Sequence, residues 1–132
     1  TSEIVVVTTP QIAAAEVAER AGRIGDQIHQ RVVGVIENMS AFPCPHCSDE
    51  IALFGAGGGE ETAARLSNLV GSDVPLLGKV PFSTELRTGG DEGTPIVIAA
   101  PDSPSAQAIY AIAEKLVVRS SSLLGVRLGL ST

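Results

Sequence analysis

The chain has 132 residues, 44% of them hydrophobic and 18% charged, which is room for one packed domain and argues against global disorder. Nine Lys and Arg against fifteen Asp and Glu leave a net charge of -6, so neither nucleic acid nor an anionic membrane surface is expected as a partner, because both require a basic face. Apolar runs such as Ile96 to Ala100 are about five residues long, far short of the roughly 20 that span a bilayer, and with no leader-like start the chain is expected to be soluble and cytoplasmic.

Glu3 to Thr8 (EIVVVT) is a β-branched run, the pattern of a strand buried on both faces. Thr8, Pro10 and Gln11 read as a helix start, with a Thr cap, Pro in the first turn and Gln three residues after the cap. Val17, Ala21, Ile24 and Ile28 then form an apolar stripe on a helix over about 10–28. Val32 to Ile36 predicts a second buried strand, and strand–helix–strand in so short a stretch predicts a parallel βαβ unit. Residues 37–59 hold two prolines, both cysteines and four glycines, and read as a long functional loop. A helix follows over about 59–70 with Ala63, Leu66, Leu69 and Val70 inward, ended by Gly71. Val74 to Pro81 predicts a strand, Ser83 to Gly90 a short helix capped by Ser83, and Pro95 to Ala100 a fourth strand. Asp102 or Ser103 caps a last helix whose stripe is Ile109, Ile112, Ala113 and Leu116. The 120–132 tail, with Leu124, Val126, Leu128 and Leu130 alternating, is expected to be disordered in part or to add an edge strand. Thr1 stands where Met would open a natural chain, and a strand begins two residues later, which suggests a piece of a longer protein. The fold class is α/β, a mostly parallel sheet with flanking helices.

Cys44-Pro45-His46-Cys47 is the sharpest chemical feature. Two thiolates with two residues between them can bind one metal ion or one cluster edge, because the turn brings both sulfurs to a common point. A complete site wants four ligands, and a second copy across a two-fold axis supplies the missing pair. His46 points away from the sulfurs in such a turn, and His29, at a helix end, reads as a surface residue. The tetrapeptide also resembles the active site of DsbA-like thiol oxidoreductases, where CPHC opens a helix that depresses the first thiol's pKa. Against that stand the seven residues Glu37 to Pro43 between strand and motif, and the glycines that begin at Gly55, which leave no room for the activating helix. Gly55 to Gly59 lacks the G-K-[ST] ending of a phosphate loop, and Glu60 and Glu61 would repel a phosphate; a close-packing loop that ends in a helix start is expected.

VTTPQ (Val7 to Gln11), VIENMS (Val35 to Ser40), CPHC, FGAGGGEE (Phe54 to Glu61), VPLLGKVP (Val74 to Pro81) and LRTGGDEGTPIVIAAPDSPSAQA (Leu86 to Ala108) occur in that order. Together, over about residues 1–119, they resemble the C-terminal half of Mrp/ApbC-type iron–sulfur cluster carriers, deviant-Walker P-loop ATPases related to MinD and ParA. The resemblance implies that Cys44 and Cys47 hold a 4Fe–4S cluster bridged between the subunits of a homodimer, for delivery to apo iron–sulfur proteins. It implies that the Asn38 amide reads the adenine edge and that Pro81 and its neighbours close over base and ribose. Ser83 stands where the family usually has Asp. The family's Walker A loop and Mg²⁺ ligand lie upstream of the strand that begins here, so ATP and Mg²⁺ are implied for the full-length parent alone. This chain is not expected to hydrolyse ATP. Two alternatives stay open: a thiol–disulfide oxidoreductase using CPHC, and a structural dimer bridged by zinc in place of iron.

Overall fold

The computed structural model describes residues 2–121. The two β-branched runs form β1 (Glu3–Thr8) and β2 (Arg31–Asn38), joined by α1 (Ala14–Gln27). Between β2 and α2 (Gly58–Val70) lies a small hairpin, β3 (Phe42–Pro43) and β4 (Glu50–Ile51). Then come β5 (Leu76–Val80), α3 (Thr84–Glu92), α4 (Ile96–Ala99) and α5 (Pro104–Ser121). Strands β1, β2 and β5 make a parallel sheet in that order, with Thr8 opposite Glu37, Glu37 opposite Lys79 and Asn38 opposite Val80. Alternate strand residues face opposite sides. Val6, Val32 and Val35 pack under α1 and α2 against Ala18, Ala63 and Leu66, while Val5, Ile36, Leu77 and Val80 pack under α5 against Ile109 and Ile112. The result is the expected α/β class, three layers with helices on both faces of the sheet.

Three expectations are corrected. The helix expected from residue 10 begins at Ala14, and the Thr8 cap does not form. The Pro10 carbonyl accepts from the Gly58 N–H at 3.0 Å and so serves the start of α2. The stripe assigned inward on α1 faces out: Val17, Ile24 and Ile28 are 68%, 59% and 55% exposed, and the buried residues are Ala15, Ala18, Gly22 and Gly25. Small residues are required there because α1 lies close to α2, with the Leu66 side chain filling the place a Cβ on Gly22 would take. Finally, Pro95 to Ala100 contributes no strand; Ile96–Ala99 is the helical turn α4, closed by Ile98 and Ala99 N–H donation to the Pro95 carbonyl at 3.0 Å. It is wedged beside α3 and α5, where Ile96 is buried and the Tyr110 hydroxyl donates to the Val97 carbonyl at 3.1 Å, so packing outweighs the β propensity of IVI. The last helix runs on to Ser121; the rest of the 120–132 tail lies outside the described residues.

Among the described residues β1 pairs only with β2, and its other side opens, with the outward face of α1, on an apolar groove of about 490 Å³ lined by Val5, Val7, Val17 and Ala21. An unpaired strand edge beside apolar surface is a template for association. The isolated 132-residue chain is therefore expected to self-associate, and Val7→Lys, which places a charge on that edge, to shift it towards monomer. Sedimentation over a wide concentration range checks this; a wild-type chain that stays monomeric throughout refutes it.

Candidate metal centre

Cys44 and Cys47 lie at the tip of the β3–β4 hairpin. Its last pairs are Phe42 with Ile51 and Pro43 with Glu50, and beyond them the Cys44 N–H donates to the Asp49 carbonyl at 2.8 Å. The turn closes when the Ser48 N–H donates to the Cys44 carbonyl at 2.9 Å, with Ser48 itself left-handed at φ 61°. Cys44 is half-buried, Cys47 exposed, and both thiols are free. The backbone N–H of His46 points at the Cys44 sulfur and holds its thiol below the ordinary cysteine range, helped by the N–H of Cys47 and then by the Cys47 thiol. That favours the thiolate, the form that ligates metal. Among the described residues no third His, Cys, Asp or Glu joins the pair. CPHC opens no helix of its own: it forms the turn of the hairpin, and the next helix along the chain, α2, begins at Gly58, unlike the arrangement in DsbA-like proteins.

The roots of the loop are clamped together. Glu37, at the end of β2, is 1% exposed, and its Oε2 accepts from the Gly59 N–H at 2.7 Å across 22 residues of sequence. A Cβ on Gly59 would lie 2.7 Å from that Oε2 and 2.9 Å from the Glu37 Cβ, so glycine is there for close approach. Since Gly58 serves Pro10 and Gly59 serves Glu37, the first amides of α2 are already engaged by protein acceptors. The close-packing role expected of Gly55 to Gly59 is what these bonds describe. Lys79 completes the group, its Nζ 2.6 Å from Glu60 Oε1 and 3.9 Å from Glu37 Oε1. The hydrogen bond between them raises the Lys79 pKa and lowers that of Glu60. Sequence reasoning passed over Glu37; the available signal was a carboxylate inside the otherwise apolar run VVGVIEN.

Asn38 and Pro81 stand at the C-terminal ends of neighbouring strands but line different cavities. Asn38 borders a space of about 250 Å³ with Val7, Ile36, Val80, Leu86, Ile109 and Ile112. Its Oδ1 accepts from the Met39 N–H at 2.9 Å, and Met39 is left-handed at φ 56°. Pro81 borders a cleft of about 350 Å³ beside the cysteine hairpin, shared with Phe42, Pro43, Pro45 and Phe82. Ser83 is the α3 cap, accepting from the Leu86 N–H at 3.0 Å, and Ser105 Oγ lies 3.3 Å from Ser83 Oγ and donates to the Pro81 carbonyl at 3.1 Å. Serine therefore suffices at that position for the local structure. No helix among the described residues is long and apolar enough to cross a membrane.

A parallel sheet with flanking helices and a CxxC hairpin at the C-terminal ends of its strands defines a class: a layered α/β domain carrying a free dithiol. The family model described as "ParA: NUBPL iron-transfer P-loop NTPase" matches residues 1–117, and the chain belongs to that family. It is 54% identical over 129 residues to the iron-sulfur cluster carrier protein of Mycobacterium leprae, a match covering 98% of this chain and 33% of that protein. The iron-sulfur cluster carrier protein of Synechocystis sp. is 43% identical over 118 residues, covering 89% of this chain and 32% of that one. Among solved structures, the septum site-determining protein MinD complexed with Mg-ADP from Pyrococcus horikoshii aligns with a TM-score of 0.60 at 26% identity, over 86% of this chain and 40% of that chain. The chain spans about a third of the length of the curated relatives it matches.

Proposed function

We propose that this chain is the cluster-bearing part of an iron–sulfur cluster carrier. Two copies face each other through their hairpins, hold one 4Fe–4S cluster as cargo on the two Cys44 and two Cys47 thiolates, and release it to apo iron–sulfur proteins. The observation that carries this reading is the free cysteine pair with no third ligand beside it among the described residues, so that a second copy is the simplest source of two more. A reducing cytoplasm, where thiols stay free, suits such a site. Residues 1–119 are read as the C-terminal part of a P-loop ATPase domain, with 120–132 as a tail. In the full-length parent, ATP and Mg²⁺ would be held by residues that this sequence does not contain, and nucleotide turnover would gate transfer. Asn38 would contact the adenine there: its Oδ1 is engaged by Met39, which leaves the NH₂ to donate to a ring nitrogen. Pro81 would border base and ribose. The buried Thr8 hydroxyl, which has no hydrogen-bond partner among the described residues and borders the groove beside β1, fits further polypeptide packing there.

Anaerobic reconstitution with iron and sulfide tests the reading. A brown dimer with four iron and four sulfide per two chains is expected, with absorbance near about 400 nm from sulfur-to-iron charge transfer. A colourless zinc dimer would assign the same four thiolates to zinc. A colourless, metal-free protein would refute both. A second expectation concerns nucleotide. Phosphoryl transfer depends on a positioned phosphate cradle, and the first α2 amides are engaged by protein acceptors, so no ATP hydrolysis and a Kd weaker than about 1 mM are expected of this chain. Micromolar ATP binding by calorimetry would overturn that.

A further inference from the structure

The chain contains three phenylalanines, and all three meet at the cysteine hairpin, outside both core clusters. The Phe82 ring stands edge-on to Phe42, with centroids 5.6 Å apart and planes at 66°, and 6.4 Å from Phe54 at 60°. Phe42 enters the hairpin two residues before Cys44; Phe54 follows it three residues after Ile51. Phe82 itself belongs to the segment that leaves β5 directly after Pro81. The backbone reinforces the same junction, for the Ser40 N–H donates to the Val80 carbonyl at 3.0 Å and the Phe82 N–H to the Ala41 carbonyl at 2.7 Å. The two-residue strands of the hairpin cannot hold its orientation by themselves. One ring thus meets Phe42 on the incoming arm of the hairpin and Phe54 just beyond the outgoing one.

We propose that Phe82 is a positioning residue for the cysteine pair: it fixes the hairpin against the Pro81–Ser83 segment, so that a displacement of that segment moves Cys44 and Cys47. This deepens the proposed carrier function and rests on it for its consequence. Anything that orders or shifts the segment after β5 then alters how firmly the thiolates hold their cargo. The ring acts through shape and aromatic contact alone, since it has no group that could ligate metal.

The experiment compares wild type, Phe82→Ala and Phe82→Leu in two independent readouts. The first is hydrogen exchange of the metal-free protein, resolved by peptide. In Phe82→Ala, exchange over residues 42–51 is expected to rise about tenfold while β1 and β2 amides stay unchanged, with Phe82→Leu intermediate because it keeps apolar bulk. The second is the reconstituted protein, in which Phe82→Ala is expected to take up the wild-type amount of iron, lose it to a ferrous chelator about tenfold faster, and show a broadened electron paramagnetic resonance signal after one-electron reduction. Unchanged exchange over 42–51, or a rise spread equally over the whole chain, would overturn the positioning role. If wild type takes up no cluster but the exchange pattern is as expected, the carrier function fails and the positioning of the hairpin stands. Should Phe82→Ala not fold, Phe42→Ala decides by the same exchange measurement, since it removes the partner ring from the hairpin side.

Discussion

Replacing either Cys44 or Cys47 by Ala is expected to abolish cluster binding as completely as replacing both. In the proposed bridged site each substitution removes two of four thiolates, and among the described residues no third His, Cys, Asp or Glu joins the cysteine pair. A four-iron cluster left with two protein ligands has open iron sites and is lost to solvent and chelator, so iron per chain is expected to fall below about a tenth of wild type. His46→Ala, by contrast, is expected to load fully. The His46 contribution to the Cys44 thiol comes from its backbone N–H, which alanine retains. In the proposed bridged site the cluster binds the dimer and not the monomer, so loading and association are expected to rise together, a ligand for one state stabilising that state by mass action. Iron and sulfide analysis with sedimentation of the reconstituted wild type and the three single variants decides the matter. Full loading in Cys47→Ala, or in a protein that remains monomeric, would rule out the bridged site.

The parts of this molecule that sequence reveals are those in which pattern and packing coincide. RVVGVIEN is a buried strand because a β-branched run with few charges has no exposed face to offer, whereas EIVVVT lies at the sheet edge and leaves Val7 59% exposed, which its composition alone does not reveal. The helix α1 shows where pattern and packing separate. Its large apolar residues Val17, Ile24 and Ile28 mark a stripe by spacing, but the side that meets α2 and the sheet is the one with Ala15, Ala18, Gly22 and Gly25, chosen by how close the backbones come. Ile96 to Ala100 fails for another reason: β propensity cannot say whether a sheet edge is available, and here the segment packs beside α3 and α5 through the buried Ile96 while Ile98 stays 74% exposed. The hairpin under the cysteines has two-residue strands and depends on a left-handed Ser48, features too short and too local for periodicity to register. The clamp at its root depends on a contact between residues 37 and 59 that no local rule anticipates.

That clamp is where the largest loss of stability is expected. Glu37→Ala leaves the Gly59 N–H buried without an acceptor and opens space where a fully buried carboxylate stood. A stranded buried donor costs about 1–3 kcal/mol, and breaking a buried ion pair by removing one partner costs about 3–5 kcal/mol when the other charge is left uncompensated. Lys79 is not left so, because it is 42% exposed and keeps its 2.6 Å contact with Glu60. The expected loss is therefore near the lower range, about 2–3 kcal/mol. Glu37→Gln keeps an oxygen that can accept from Gly59 and surrenders only the charge, so about 1 kcal/mol is expected. Gly59→Ala approaches the same joint from the other side: its Cβ would meet Glu37 at 2.7 Å and must push the start of α2 away, with no change of charge. It is expected to resemble Glu37→Ala more closely than Glu37→Gln does, since the bond and not the ion pair holds the loop root. Urea unfolding of the three variants checks the order. Glu37→Gln as damaging as Glu37→Ala would show that the carboxylate acts through its charge on Lys79, and a Glu37→Ala protein within about 0.5 kcal/mol of wild type would show that the loop roots are held by other contacts.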